Sequence, residues 1–158
     1  MDLNKMDIEK LASGLRAKDF TAVELCRHYL AVIEAREPEL NALITVTGEE
    51  ALSAAKSCDK ALAAGEELPL LAGIPCALKD NILTKGILTS AGSKTLSNFI
   101  APYDATVWTK LKEQRAVLLG KTNMDEFAMG STTESSFYGP TKNPLDASAA
   151  SSGWNVMP

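Results

Sequence analysis

At 158 residues, with 46% apolar and 23% charged side chains, the chain has the length and composition of one compact globular domain. A net charge of −4, with Lys and Arg scattered among Asp and Glu, argues against a dedicated nucleic-acid surface, which would cluster its basic residues. The N-terminal MDLNKMDIEK lacks the apolar core of a signal peptide and no run approaches membrane-spanning length, so the expectation is a soluble, cytoplasmic protein with no membrane contact.

Ile8, Leu11 and Leu15 recur at helical spacing behind Asp7, a natural N-cap. Thr21-Ala22-Val23-Glu24 has the pattern of a capping box. It predicts a helix with Val23, Cys26, Leu30 and Ile33 on one face, ending before Pro38. Leu43 to Val46 is a short strand, and an alanine-rich helix runs from about Glu49 to Ala64 with Ala51, Ala55, Cys58 and Leu62 as its apolar stripe. The polar break from Gly65 to Pro69 is the expected boundary between a helical section, 1–64, and an α/β core that begins at residue 65.

Past that break the pattern changes. Ile74 to Leu78 reads as a strand ending at Lys79, Asp104 as the cap of a helix carrying Val107, Trp108 and Leu111, and Ala116 to Leu119 as a further strand. Strand, helix and strand in that order predict a βαβ unit with parallel pairing, hence an α/β fold. The three cysteines, Cys26, Cys58 and Cys76, leave at least one unpaired, and none has metal-site spacing with another cysteine or with His28, the only histidine. They read as small buried hydrophobes of a reducing compartment.

Two lysines invite a chemical reading. Gly120-Lys121-Thr122 has the ending of a phosphate-binding loop, but that motif needs a glycine where Arg115 stands, and Ala116 to Leu119 is strand-like rather than free to wrap a phosphate. Lys121 therefore reads as a strand-end residue, solvated or structural. Lys79 alone, beside Asp80, reads as an exposed residue in a weak ion pair. A lysine set behind apolar residues has a second option. Burial disfavours its ammonium, and the neutral amine can take a proton from a hydroxyl nucleophile.

The blocks GIPCALKDN, around Lys79, and GKTNMDEFAMGSTTESSFYGPTKNP, from Gly120 on, resemble the amidase signature family. The wording NMDEFAMGSTTE is most similar to the branch that forms the A subunits of Glu-tRNA(Gln) and Asp-tRNA(Asn) amidotransferases. The resemblance covers roughly residues 1–146, about the first third of a family member. It implies the opening part of the family's mixed sheet with flanking helices, incomplete here: a helical section 1–64, a partial α/β core 65–146 and a divergent tail 147–158.

By the same resemblance Lys79 is the catalytic lysine, and Met129, Gly130 and Ser131 lie along the substrate cleft. Asn143-Pro144 is the turn that precedes a serine-rich loop. The activity implied is hydrolysis of the glutamine amide to glutamate and ammonia, through a relay serine, a nucleophilic serine and backbone N–H groups that stabilise the oxyanion. No cofactor is implied in this chain. ATP and Mg belong to the B subunit. The heterotrimer is clamped by its C subunit, and tRNA is held through the partner.

After Asp146 the resemblance fails. Relatives continue into GGSSGGS, whereas this chain reads Ala147-Ser148-Ala149-Ala150-Ser151-Ser152-Gly153-Trp154. Ser151 is the nearest counterpart of the relay serine, and the later nucleophile has none. The expectation is a truncated or frameshifted product, inactive alone, because members of a catalytic unit act jointly. Its strands would expose an edge and an uncovered apolar face. The alternatives are a non-catalytic fragment that binds partner subunits and a relative acting on small amides. Arg115 is a further departure, since relatives favour glycine there, where a left-handed residue ends the helix.

Overall fold

The computed structural model describes residues 3–150. Four α-helices and five strands follow in the order α1 (Ile8–Ala17), α2 (Ala22–Leu40), β1 (Leu43–Val46), α3 (Gly48–Ala63), β2 (Pro75–Lys79), α4 (Thr106–Glu113), β3 (Val117–Thr122), β4 (Lys142–Asn143) and β5 (Asp146–Ala150) among the described residues. The caps read from the sequence set the first two helices. Asp7 accepts the Lys10 N–H at 2.8 Å, and Thr21 and Glu24 close the reciprocal capping box. Asp59 of α3 adds a tertiary cap, its two carboxylate oxygens accepting the N–H groups of Ala22 and Val23 at 2.7 and 3.0 Å.

β3 is the centre of a three-stranded sheet ordered β1-β3-β2. β2 runs parallel to it, as the βαβ reading requires, and β1 runs antiparallel, so the sheet is mixed. Helices α1 to α3 cover one face, where Leu11, Leu15, Leu25, Cys26, Ala55 and Cys58 pack with Ile74, Val117 and Leu119. On the other face Trp108 of α4 packs with Leu78 and Leu118. Burial raises the thiol pKa of all three cysteines, and that of Cys76 reaches about 11. β1, from the helical section, lies in the same sheet as β2 and β3, so residues on both sides of the Gly65–Pro69 break build one layer.

Two local expectations need correction. The second helix does not end before Pro38 but runs through it to Leu40. Pro38 lies in the last turn, where few backbone bonds remain to be lost, and Asn41 in the left-handed region (φ 52°) ends the helix instead. The expected face of that helix does meet the core: Cys26 is fully buried with Ala22 and Leu25, and Val23, Leu30 and Ile33 pack partly buried against it. Asp104 does not cap α4, whose N-cap is Ala105. Its carboxylate accepts the Lys85 N–H at 2.7 Å and pairs with Lys112 at 2.9 Å.

Arg115 takes the left-handed conformation at φ 55°, as the comparison with glycine-bearing relatives implied. A side chain in that region is strained by contact of Cβ with the backbone, and the ion pair of Arg115 with Glu66 is exposed and of little worth. Arg115→Gly should therefore raise unfolding stability by up to about 1 kcal/mol in urea denaturation, the relief of strain outweighing the extra chain entropy of glycine. A loss of stability would contradict this.

Candidate active site

Lys79 is the last residue of β2, at the C-terminal edge of the parallel pair, and is half-buried. Its register partner on β3 is Thr122, and Leu78 is paired with Lys121. Side chains alternate along a strand, so Lys79 points away from the face that carries Leu78.

The residue after Lys79 is held on every side. Asp80 is fully buried, its N–H donates to the Thr122 carbonyl at 3.1 Å, and its carbonyl accepts the Ala91 N–H at 3.2 Å. One carboxylate oxygen, Oδ2, accepts both the N–H and the hydroxyl of Ser90, at 2.8 and 2.5 Å. The other, Oδ1, has no hydrogen-bond partner among the described residues and faces the Lys121 ammonium at 3.7 Å.

Lys121 is fully buried, so of the two readings offered for it, solvated or structural, the structural one holds. Its ammonium donates to the Ile82 carbonyl at 2.8 Å and to Thr89 Oγ1 at 3.0 Å, and its third hydrogen is left for the Asp80 side. Burial draws its pKa below the ordinary lysine value, and the Asp80 charge opposes that shift. The ion pair at the strand end is thus Asp80 with Lys121, not an exposed pair of neighbours.

Met129, Gly130 and Ser131 are exposed, on a loop organised by a second buried carboxylate. Asp125 Oδ2 accepts the N–H groups of Thr132 and Thr133 at 3.0 and 2.8 Å, and Oδ1 accepts the hydroxyl of Ser135 at 2.9 Å. Burial pushes this carboxyl up, but the bonds from Thr133, Ser135 and Thr132 outweigh it and hold its pKa below the ordinary value. Gly130 passes so close that a Cβ would stand 2.5 Å from the Asp125 carboxyl carbon, a fit only glycine allows.

The loop from Ser90 to Ser93 joins the two parts. Ala91 donates to Asp80 and accepts from the Phe127 N–H at 2.9 Å, and Ser93 donates its hydroxyl to Glu126 at 2.6 Å. Gly92 lies against the Met124 carbonyl, which a Cβ would approach to 2.5 Å. Of seven non-glycine residues with positive φ among those described, Ala91, Phe127, Ala128 and Thr133 belong to these loops; Lys18, Asn41 and Arg115 end helices. Backbone strain therefore gathers in the two loops that are anchored on Asp80 and Asp125.

Downstream, the amide of Asn41 donates to the Tyr138 and Gly139 carbonyls at 2.8 and 3.1 Å, tying α2 to the chain that enters β4. Asn143 and Pro144 make the expected turn, with the Leu145 N–H on Asn143 Oδ1 at 2.9 Å. Ser151 lies outside the described residues. Among the described residues no group of three His, Cys, Asp or Glu side chains could hold a metal ion, and no helix is long and apolar enough to cross a membrane. The sequence reading missed Ser90 and Asp125 altogether, and it did not pair Asp80 with Lys121. The signal for that pair was an acid and a base at the ends of two apolar runs, which become partners once the β2–β3 register is known.

A family model described as Amidase matches residues 24–153. The chain belongs to the amidase family. It is 53% identical over 146 residues to the A subunit of the glutamyl-tRNA(Gln) amidotransferase of Chromohalobacter salexigens, covering 92% of this chain and 30% of that protein. Among solved structures, the corresponding protein from Thermotoga maritima superposes with a TM-score of 0.71 at 35% identity, covering 97% of this chain and 31% of that one. The peptide amidase of Stenotrophomonas maltophilia gives 0.83 at 35% identity, over 91% of this chain and 31% of that one. The chain thus spans about 30% of the length of the curated relatives it matches.

Replacing the Asp125 carboxylate should loosen the loop from Gly130 to Ser135. Asp125→Asn should lower unfolding stability at pH 7 by on the order of 1–3 kcal/mol, the cost of unsatisfied buried donors. Because the folded-state pKa lies below the ordinary value near 3.9, the carboxylate's contribution is complete above that value and fades as pH falls through the folded one. Denaturation across pH 2–7 should show the gap between wild type and variant closing in acid. A gap independent of pH would contradict the assignment.

Proposed function

We propose that this chain supplies the proton-accepting lysine and one wall of the substrate cleft to a glutamine-hydrolysing amidase, of the type that forms the A subunits of tRNA-dependent amidotransferases. The observation that carries the reading is the identity of about half over nine-tenths of the chain to curated A subunits. The position of Lys79 at the C-terminal end of a parallel strand supports it, because ligands of such sheets gather beyond that edge.

In this reading the neutral amine of Lys79 takes the proton of a serine hydroxyl, directly or through a relay serine for which Ser151 is the candidate. The freed oxygen attacks the side-chain carbonyl of glutamine, the C–N bond breaks, and the proton leaves with the nitrogen as ammonia. Water then cleaves the acyl-enzyme to glutamate. Met129, Gly130 and Ser131 line the approach. Ammonia would be passed to a B subunit that handles ATP, Mg and the misacylated tRNA, with a C subunit completing a cytoplasmic ligase complex.

A second reading is a section that binds those partners without supporting turnover, and the 30% share of the relatives' length favours considering it. One experiment separates the two: exchange the matching 146-residue section of the Chromohalobacter salexigens protein for that of this chain and assay glutamine hydrolysis with B and C subunits present. The first reading expects ammonia release that Lys79→Ala lowers by about 100-fold or more. An inactive chimera that still co-purifies with B and C favours the second. Activity that survives Lys79→Ala overturns the role of Lys79.

A further inference from the structure

The C-terminal half of α2 does not close onto the sheet. Between them lies a cavity of about 220 Å³, walled by Val32, Ile33 and Leu40 of the helix and by Leu43, Ala77 and Leu119 of β1, β2 and β3 in turn. Five of these six side chains stay partly exposed although they lie between a helix and a sheet, with Leu119 alone buried. Protein interiors are packed nearly as densely as organic crystals, so walls that leave such a space invite an occupant. A cavity of about 150 Å³ with apolar walls takes up benzene, and this one has room for a larger ring. One acceptor stands in the wall. Glu37 is half-buried, its Oε1 accepts the Leu43 N–H at 2.8 Å, and a carboxylate has lone pairs beyond that one. The site fits an apolar, ring-sized group with an N–H to donate.

The β4–β5 hairpin leads this chain's own candidate to the rim. Pro144, in its turn, lines the cavity, and the Arg36 guanidinium donates to the Pro144 carbonyl at 3.4 Å. Ala150 pairs with Lys142, about 7 Å of strand from that turn. Trp154, in the segment 151–158 outside the described residues, comes four residues after Ala150 and can stand up to about 14 Å from it. The indole therefore reaches back to Pro144 and the cavity behind it. We propose that the Trp154 indole occupies this cavity, its ring between α2 and the sheet and its N–H on the Glu37 carboxylate, so that the segment after β5 completes the core under α2. An indole combines a large apolar body with one donor that seeks a partner when buried. Met1, Val156 and Met157 fill less of the space, and none offers Glu37 a side-chain donor. Ala77 and Lys79 share a face of β2, so the anchored segment lies on the lysine's side of the strand.

The chain has two tryptophans, Trp108 and Trp154, and so two indole N–H resonances in the 15N-labelled full chain. The one absent from Trp154→Phe belongs to Trp154. Nuclear Overhauser contacts from its ring protons should reach the methyl groups of Val32, Ala77 and Leu119, and its N–H should exchange slowly with water. Trp154→Ala opens the cavity. Indole added to that variant should bind and shift the same methyl resonances. Wild type should bind indole about tenfold or more weakly, the chain's own ring holding the cavity at least about nine-tenths of the time.

A Trp154 ring without contacts to these methyls, its N–H exchanging as in a free peptide, overturns the proposal. Contacts to the same methyls from Met1 or Met157 in its place do so too. So do Trp154 contacts that a mixture of 13C-labelled and unlabelled chains traces to another copy, and indole binding of equal strength in wild type and Trp154→Ala. Where Trp154→Ala does not fold or takes up no indole, the contacts in the wild-type chain decide alone.

Discussion

The carboxylate of Asp80 is where the backbone of β2, the loop from Ser90 to Ser93 and the side chain of Lys121 meet. Without it the strand end bearing Lys79 would keep its backbone bonds to Thr122 and Ala91, but the loop would lose its side-chain anchor on the sheet. Removing one partner of a buried pair of this kind costs about 3–5 kcal/mol, a large share of a domain's stability. The Lys121 ammonium of that pair is bound by Ile82 and Thr89, which lie between β2 and α4. The chain between these two elements must fold back over it before the strand end is complete.

From that point the constraint passes outward in short steps. Ala91 touches both Asp80 and Phe127, Gly92 lies on the Met124 carbonyl, and Asp125 gathers the loop from Thr132 to Ser135. The strained conformations at Ala91, Phe127, Ala128 and Thr133 fit this arrangement, because each sits in a turn whose carbonyls or N–H groups are engaged elsewhere. The chemistry proposed for Lys79 needs a proton acceptor and a substrate wall in fixed relation. Two buried carboxylates, one behind each part, supply that relation.

Much of this fold was legible in the sequence, for physical reasons that can be named. Asp7 and Thr21 announced their helices because capping is a local interaction. β2 and β3 showed as apolar runs because the sheet they form is packed on both faces. Pro38 misled because its cost depends on where in the helix it falls, and the last turn has little to lose. Asp104 misled because its carboxylate found a tertiary partner in Lys85. The site was legible only in part. Lys79 and the Met129–Ser131 segment came from resemblance to the amidase family, which the matched residues bear out as to membership. Lys121 read as a strand-end residue, solvated or structural, and the choice between the two depends on a register that pairs Leu78 with it and brings Asp80 alongside.

If the buried pair organises the site, the segment behind Lys79 is one cooperative unit, and native-state hydrogen exchange measures that directly. The amides of Asp80, Ser90, Ala91 and Phe127 are distant in sequence but bonded in one chain around the buried pair. They should exchange through a single opening, with the same free energy and the same dependence on denaturant. If Ser90, Ala91 and Phe127 instead exchange by independent local openings while Asp80 stays protected with the sheet, the pair does not organise the site.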